Sequence, residues 1–242
     1  MSRLLTYGKN RVVSRLEDPA SRQLVDAISN DQLLRESVFR DNWRTLSAKV
    51  RFGDDALLLK VPRARNNRRW ERFLTLFRES DALRTFRHIE RLSDLGFGAP
   101  QPVLACERRW RGVVVDSFVC YRFVEGRPAE PRDAEKILVE LQALHRQGYL
   151  RSDAQLANFL MVDRTVTFID FRLKQPRFLP KLQKAREIDR FLRSCPEARH
   201  LLSSTEASSF WLWLASSLES ASFGVRNLKR RVRNRRKRKN RA

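Results

Sequence analysis

Cysteine is scarce and scattered: the three, Cys106, Cys120 and Cys195, are odd in number and form no Cys-x-x-Cys pair. That pattern argues against a disulfide framework and a zinc site, and a reducing compartment is the simplest setting. Buried filler is the expected role of each. Histidine is equally sparse, and His88 and His200 have no partner at metal-ligand spacing. The longest candidate for a membrane span, Phe210 to Ala215, is closely followed by Glu219. It falls far short of the roughly 20 apolar residues a span requires. The opening residues MSRLLTYGKNRVV lack the sustained apolar segment and cleavage site of a secretory signal, so a cytoplasmic chain is expected. Internal repeats and long Gly/Ser- or Pro-rich linkers are also missing.

Acidic charge is in deficit as well. Asp and Glu number 28 against 50 Lys and Arg, for a net charge of +22. Eleven of those charges fall between Arg226 and Arg241, a stretch with no acid, which leaves a body of +11 that is basic in its own right. The implied partner is polyanionic: nucleic acid, an anionic membrane surface or a heavily phosphorylated substrate. With 42% hydrophobic residues and aromatics spread along 242 positions, the chain has material for one large domain or two lobes, and disorder is excluded except at the ends.

The apolar pattern divides the chain. Leu46, Ala48, Val50 and Phe52 alternate, Gly53-Asp54-Asp55 make a tight turn, and Ala56 to Leu59 run into Lys60, which predicts a hairpin. Trp70, Phe73, Phe77, then Leu83, Phe86, Ile89 and Leu92 have helical spacing, with Ser80-Asp81 able to cap a new start. Gly96, Gly98, Pro100 and Pro102 end that helix. Val103 to Cys106 and Val113 to Val124 read as strands. Ala134, Ile137, Leu138, Leu141 and Leu144 form one helix face that stops at Gly148. Tyr149 to Asn158 is irregular, Phe159 to Val162 and Val166 to Ile169 form a hairpin about Asp163-Arg164, and the rest is helical. Trp211 to Leu218 is expected to be core, and Lys229 to Arg241 an electrostatic tether.

Asp153 and Asn158 stand as D-x-x-x-x-N on the irregular loop, and Asp170 closes the hairpin that follows. Phosphoryl transfer requires a carboxylate beside the attacking hydroxyl and oxygen ligands that hold magnesium against the nucleotide phosphates. These residues supply both. Lys60, emerging from an apolar strand, is placed to meet the phosphates. His145, at the end of a helix, is expected to be structural, bonding free carbonyls there.

The stretch Leu144 to Leu160, with L-H-x-x-G, D-x-x-x-x-N-F and then Phe168-Ile169-Asp170-Phe171, resembles the catalytic segment of the bacterial lipopolysaccharide core heptose kinase family. The likeness runs from about Leu57 to Asp189 and includes the turn at Gly96 to Pro102 and the hinge at Tyr121 to Gly126. It implies an α+β, two-lobed protein-kinase-like fold. A small strand-rich N-lobe would occupy 1–125 with one long helix, a helical C-lobe with the catalytic loop 126–225, and a basic tail 226–242. It implies Asp153 as the catalytic base, Asn158 and Asp170 as magnesium ligands, and Lys60, Arg122 and Val124 with them in ATP binding. The implied acceptor is a sugar of the lipopolysaccharide inner core, met at the cytoplasmic face of the inner membrane, with the basic body and tail on its anionic surface.

Four departures from the family pattern stand out. Arg151 replaces the histidine two residues before the catalytic aspartate, exchanging a packing contact for a charge, and Asp170-Phe171-Arg172 lacks the glycine of D-F-G. Val38 to Leu46 contains no glycine. Thr85 stands where a helix glutamate should meet Lys60, with Glu79 or Asp81 as the substitutes. Two other readings follow: a pseudokinase-like protein kept for binding membrane or partner, and a phosphotransferase of the antibiotic or choline type with another acceptor. Nucleic acid is disfavoured, because the arginine-rich tail accompanies no recognisable nucleic-acid module.

Overall fold

From the first residues onward, short antiparallel strands define the architecture. β1 (Arg3–Tyr7) and β2 (Asn10–Ser14) form a hairpin, α1 (Asp18–Ser29) follows with proline in its first turn, and β3 (Arg35–Asp41) leads to β4 (Leu46–Phe52) and β5 (Asp55–Val61). After α2 (Arg63–Asn67), α3 (Arg69–Leu74) and α4 (Asp81–Asp94) come β6 (Pro102–Trp110) and β7 (Val113–Arg122). These strands make one seven-stranded sheet in the order β1-β2-β6-β7-β5-β4-β3.

The computed structural model describes residues 2–222; the tail at 226–242 lies outside them. The described residues form two compact units, one running to Gly126 and including Thr167–Ile169, the other holding Arg127–Val166 and the residues from Asp170 on.

In the first unit, Ala48 and Val50 of β4 sit opposite Leu59 and Leu57 of β5 on one face of the sheet, where they join Leu24 and Val25 of α1 in the core. Period-two alternation therefore turns Lys60 to the other face, paired with Ser47 and Val119. Helix α4 packs on β6 and β7. Its first turn is capped by Ser80, whose Oγ accepts from the Leu83 N–H (3.2 Å) while its own N–H donates to the buried Glu107 carboxylate (2.8 Å). Ser80→Ala should lower unfolding free energy by about 1 kcal/mol, read as a shift of the urea midpoint at constant slope.

The second unit begins with β8 (Arg127–Pro128) and α5 (Ala134–Arg146), then β9 (Phe159–Val162), the first half of β10 (Thr165–Phe168), α6 (Pro180–Ser194) and α7 (Ser204–Ala207). Strand order in its small sheet is β10-β9-β8. Asp163 and Arg164 both take positive φ (46° and 68°), the backbone a two-residue hairpin turn requires. Phe159 and Phe191 meet edge to face in the core of this unit. Residues 210–222 are helical. Arg193 ties that helix to α6 by donating to Ser216 O (3.0 Å), and Ala215 is buried, whereas Phe210, Trp213 and Leu218 are exposed. The expectation of core at Trp211 to Leu218 therefore holds for one side of the helix.

Two further differences from the sequence expectation are instructive. Residues 3–41 carry three strands and α1, which no strong periodicity announced; β3 in particular is exposed along nearly its whole length. The segment from Trp70 is a short α3 that ends well before α4, and its aromatic side chains are exposed. All three cysteines are buried and free. Burial pushes the Cys106 thiol up to about 12 and raises that of Cys120 too, so neither is a nucleophile at neutral pH. Among the described residues no helix is long and apolar enough to cross a membrane.

Candidate active site

The centre of the candidate site is the loop between α5 and β9. Helix α5 stops because Gly148 takes a left-handed φ of 83°, with the Gly148 and Tyr149 N–H groups folding back on His145 O and Leu144 O (3.1 Å each). Four residues after Gly148, Ser152 has φ of 79° without being glycine, a conformation held by its surroundings. Its N–H donates to Glu187 Oε1 (2.5 Å), its Oγ to Arg172 O (2.8 Å), and the Arg172 N–H closes the frame on Arg151 O (2.9 Å). Asp153 is thereby fixed at the head of the loop.

Glu187 of α6 organises this frame. Besides Ser152 it accepts from His145 Nε2 (2.8 Å) and the Arg151 N–H (3.2 Å), all at a buried position. His145 is therefore structural, as expected, but its partner is a carboxylate rather than a helix-end carbonyl.

Arg151 is the largest fully buried side chain, with 0% exposure, and its guanidinium lies 4.5 Å from the centre of the Phe159 ring. It packs in the interior of this unit and brings a charge there. Burial pushes its pKa down to about 10, against the opposing pull of Glu187, Asp153 and Asp170. At neutral pH it remains a cation.

The Asp153 carboxylate is half-exposed, and its Oδ1 accepts from Gln155 Nε2 (3.1 Å) and Arg190 Nη1 (3.2 Å). Asn158 turns its Nδ2 toward the Asp153 carbonyl (3.0 Å) and carboxylate (3.4 Å). Its Oδ1 is therefore the atom directed elsewhere, an oxygen suited to a hard cation. Asn158 immediately precedes β9 and Asp170 follows β10, so the hairpin brings both residues to the same end. Asp170 is exposed and has a left-handed φ of 48°. An amide oxygen and a carboxylate at one hairpin end form a donor set that fits magnesium and gives no soft ligand to zinc or copper.

The nucleotide-side candidates lie in the first unit. Lys60 is half-buried on β5. Glu79 accepts from Arg87 and Arg11, and Asp81 accepts from Arg65 and Arg84. The glycine-free turn between β3 and β4 is closed by Asn42, whose Oδ1 accepts from the N–H groups of Arg44 (2.9 Å) and Thr45 (3.0 Å). At the hinge, Arg122 donates from its side chain to Asp55 (2.5 Å) and from its N–H to Gln101 O (2.8 Å), and the Phe123 N–H goes to Ala56 O (2.9 Å). The Val124 N–H and C=O have no backbone partner among the described residues.

Sequence reasoning missed Glu187 and Arg190. One signal was available: Glu187 lies one turn before Phe191, a carboxylate on the apolar stripe of α6.

No protein-family model and no curated protein matches the chain. Among solved structures it is similar to WaaP in complex with acyl carrier protein, at 17% identity and a TM-score of 0.55 over 85% of this chain and 88% of that one. The kinase domain of Mycobacterium tuberculosis PknI, in a mutant form, aligns at 12% identity and a TM-score of 0.39 over 78% of this chain and 95% of that one. The first likeness fixes the fold, and the chain has the α+β, protein-kinase-like fold that its sequence resemblance implied.

Proposed function

We propose that this chain is an ATP-dependent kinase that transfers the γ-phosphate to a sugar hydroxyl, a heptose of the lipopolysaccharide inner core, at the cytoplasmic face of the inner membrane. The observation that carries the reading is the presentation of Asp153. Its half-exposed carboxylate heads a loop braced from behind by Glu187, while Asn158 is held with its amide oxygen directed away from the loop backbone.

In this reading Asp153 orients the acceptor hydroxyl and takes its proton as the oxygen bonds to the γ-phosphorus. The bond from that phosphorus to the β-bridging oxygen breaks, and ADP leaves with the electron pair. Arg190 holds the Asp153 carboxylate through Oδ1 and Asn158 Nδ2 approaches Oδ2 at 3.4 Å, so the group is braced while still half-exposed to the acceptor. Asn158 and Asp170 are the residues that would hold magnesium, which supplies charge neutralisation on the phosphate oxygens. Lys60 meets the nucleotide phosphates, and the open backbone of Val124, next to Arg122, meets the base. The basic body and the 226–242 tail meet the anionic membrane and the phosphorylated core.

A pseudokinase-like role is the second reading, favoured by the Asn42 turn. It occupies two N–H groups where a glycine-rich loop would offer its own to phosphate. The assay that separates the two combines purified protein, ATP, magnesium and core oligosaccharide, followed by mass spectrometry of the acceptor. Gain of one phosphate supports the kinase; ATP binding without ADP formation supports the pseudokinase. Lipopolysaccharide from a deletion strain should lack a single core phosphate.

Arg190→Ala tests the positioning role. Losing a charge-assisted hydrogen bond to the base should cost about tenfold in turnover. The melting temperature should stay constant, since a half-exposed pair contributes little to stability.

A further inference from the structure

An exposed aromatic cluster in the first unit has no role in phosphotransfer. On α3 and the turn after it, Trp70, Phe73 and Phe77 form a continuous ridge, with ring centres 5.7 Å and 6.0 Å apart. Trp70 is 68% exposed and Phe77 80%. The ridge is anchored to the tip of the β6–β7 hairpin: Arg109 Nη1 donates to Thr75 O (3.0 Å), and the Val114 N–H donates to Thr75 Oγ1 (2.8 Å). A Cβ on Gly112 would lie only 3.1 Å from Leu76, so this glycine lets the two segments meet. Trp110, at the same hairpin tip, is exposed too.

Exposed arginines without an acidic partner among the described residues accompany the ridge: Arg68, Arg69, Arg108 and Arg111, the last lying over the Trp110 ring at 4.4 Å. Nearby arginines behave differently: Arg78 pairs with Glu71, Arg65 with Asp81 and Arg109 with Glu107. A projecting apolar ridge with unpaired guanidinium groups beside it is the composition that settles at an anionic lipid–water boundary. There aromatic rings enter the headgroup layer and arginines meet phosphates.

We propose that the α3 segment and the β6–β7 tip form a membrane-docking surface that inserts Trp70, Phe73 and Phe77 into the interface of an anionic bilayer. The proposal stands apart from the phosphotransfer reading, since none of these residues belongs to the candidate site. It also differs from tethering by the tail, because insertion survives salt and tethering does not.

Flotation of the full chain with phosphatidylglycerol-containing vesicles, and with phosphatidylcholine vesicles alone, tests it. The wild type should bind the anionic vesicles, and part of that binding should persist at about 1 M salt, where the Debye length falls to about 3 Å. W70S/F73S/F77S should lose the salt-resistant part, with partitioning down about tenfold or more, at an unchanged melting temperature. A variant that loses both binding and melting transition is replaced by Trp70→Phe, which should bind normally but show less quenching by brominated lipid. Equal salt-resistant flotation of wild type and triple variant would overturn the proposal. So would Trp70→Phe quenching like the wild type, or binding to poly-L-glutamate without binding to vesicles, which would make the surface a protein-docking site.

Discussion

Asp153→Asn lowers phosphate transfer by about 10²- to 10⁴-fold, the range by which a positioned general base accelerates a reaction. The substitution keeps the shape and the acceptor oxygen but removes the group able to take the hydroxyl proton. Stability should barely change, because the carboxylate is half-exposed and its contact with Arg190 is a solvent-screened pair. The loop should also keep its form. Its strained point, Ser152, is held by Glu187 and Arg172 and not by the Asp153 side chain. The comparison to make is turnover against melting temperature. Activity within about threefold of the wild type would remove Asp153 as the base, while a large drop in melting temperature would make it structural. Asn158→Ala is the companion variant: it deletes the amide oxygen offered to the cation together with the bond to the Asp153 carbonyl, so excess magnesium should recover part of its loss.

The loop that carries Asp153 and Asn158 and the hairpin that ends at Asp170 were legible in the sequence because polar residues interrupt the apolar pattern there. The Asp163-Arg164 turn could likewise be read from its neighbours. The brace behind the loop was not, since Glu187 acts on an N–H 36 residues earlier in the chain. Only the folded backbone brings them together. The hairpin at Leu46 to Val61 was announced by alternation, whereas β3, exposed along its length, offered no apolar face to detect. Trp70, Phe73 and Phe77 illustrate a different limit. Helical spacing identifies a face but does not say what covers it, and here nothing in the described chain does. Arg151 is a charged residue in the sequence, where exposure is the expectation; its burial and its stacking on Phe159 appear only in the fold.

Glu187→Ala should be the most destabilising single change, by about 3–5 kcal/mol, the loss typical of removing one partner from a buried charged network. Three donors would lose their acceptor: His145 Nε2 and the N–H groups of Arg151 and Ser152. The fully buried Arg151 guanidinium would lose the largest of the charges that favour its ionised form. Because the Arg151 pKa in the folded protein is pushed down to about 10, below its unfolded value, the unfolded chain binds the proton more tightly. The resulting penalty is fully present at neutral pH and is relieved only as the pH rises through about 10. In the wild type Arg151 adds little slope to stability between pH 6 and 9, but removing Glu187 takes away the largest charge that raises its folded pKa, so if the guanidinium causes the loss the deficit of Glu187→Ala should shrink as the pH rises. The double variant R151M/E187A separates the two contributions. Methionine fills the pocket against Phe159 without a charge, so the double variant should be less destabilised than Glu187→Ala alone, with the remaining deficit belonging to the orphaned N–H groups. If denaturant unfolding instead gives strictly additive effects, Glu187 acts only through the backbone of the loop and the buried cation is balanced by Asp153 and Asp170.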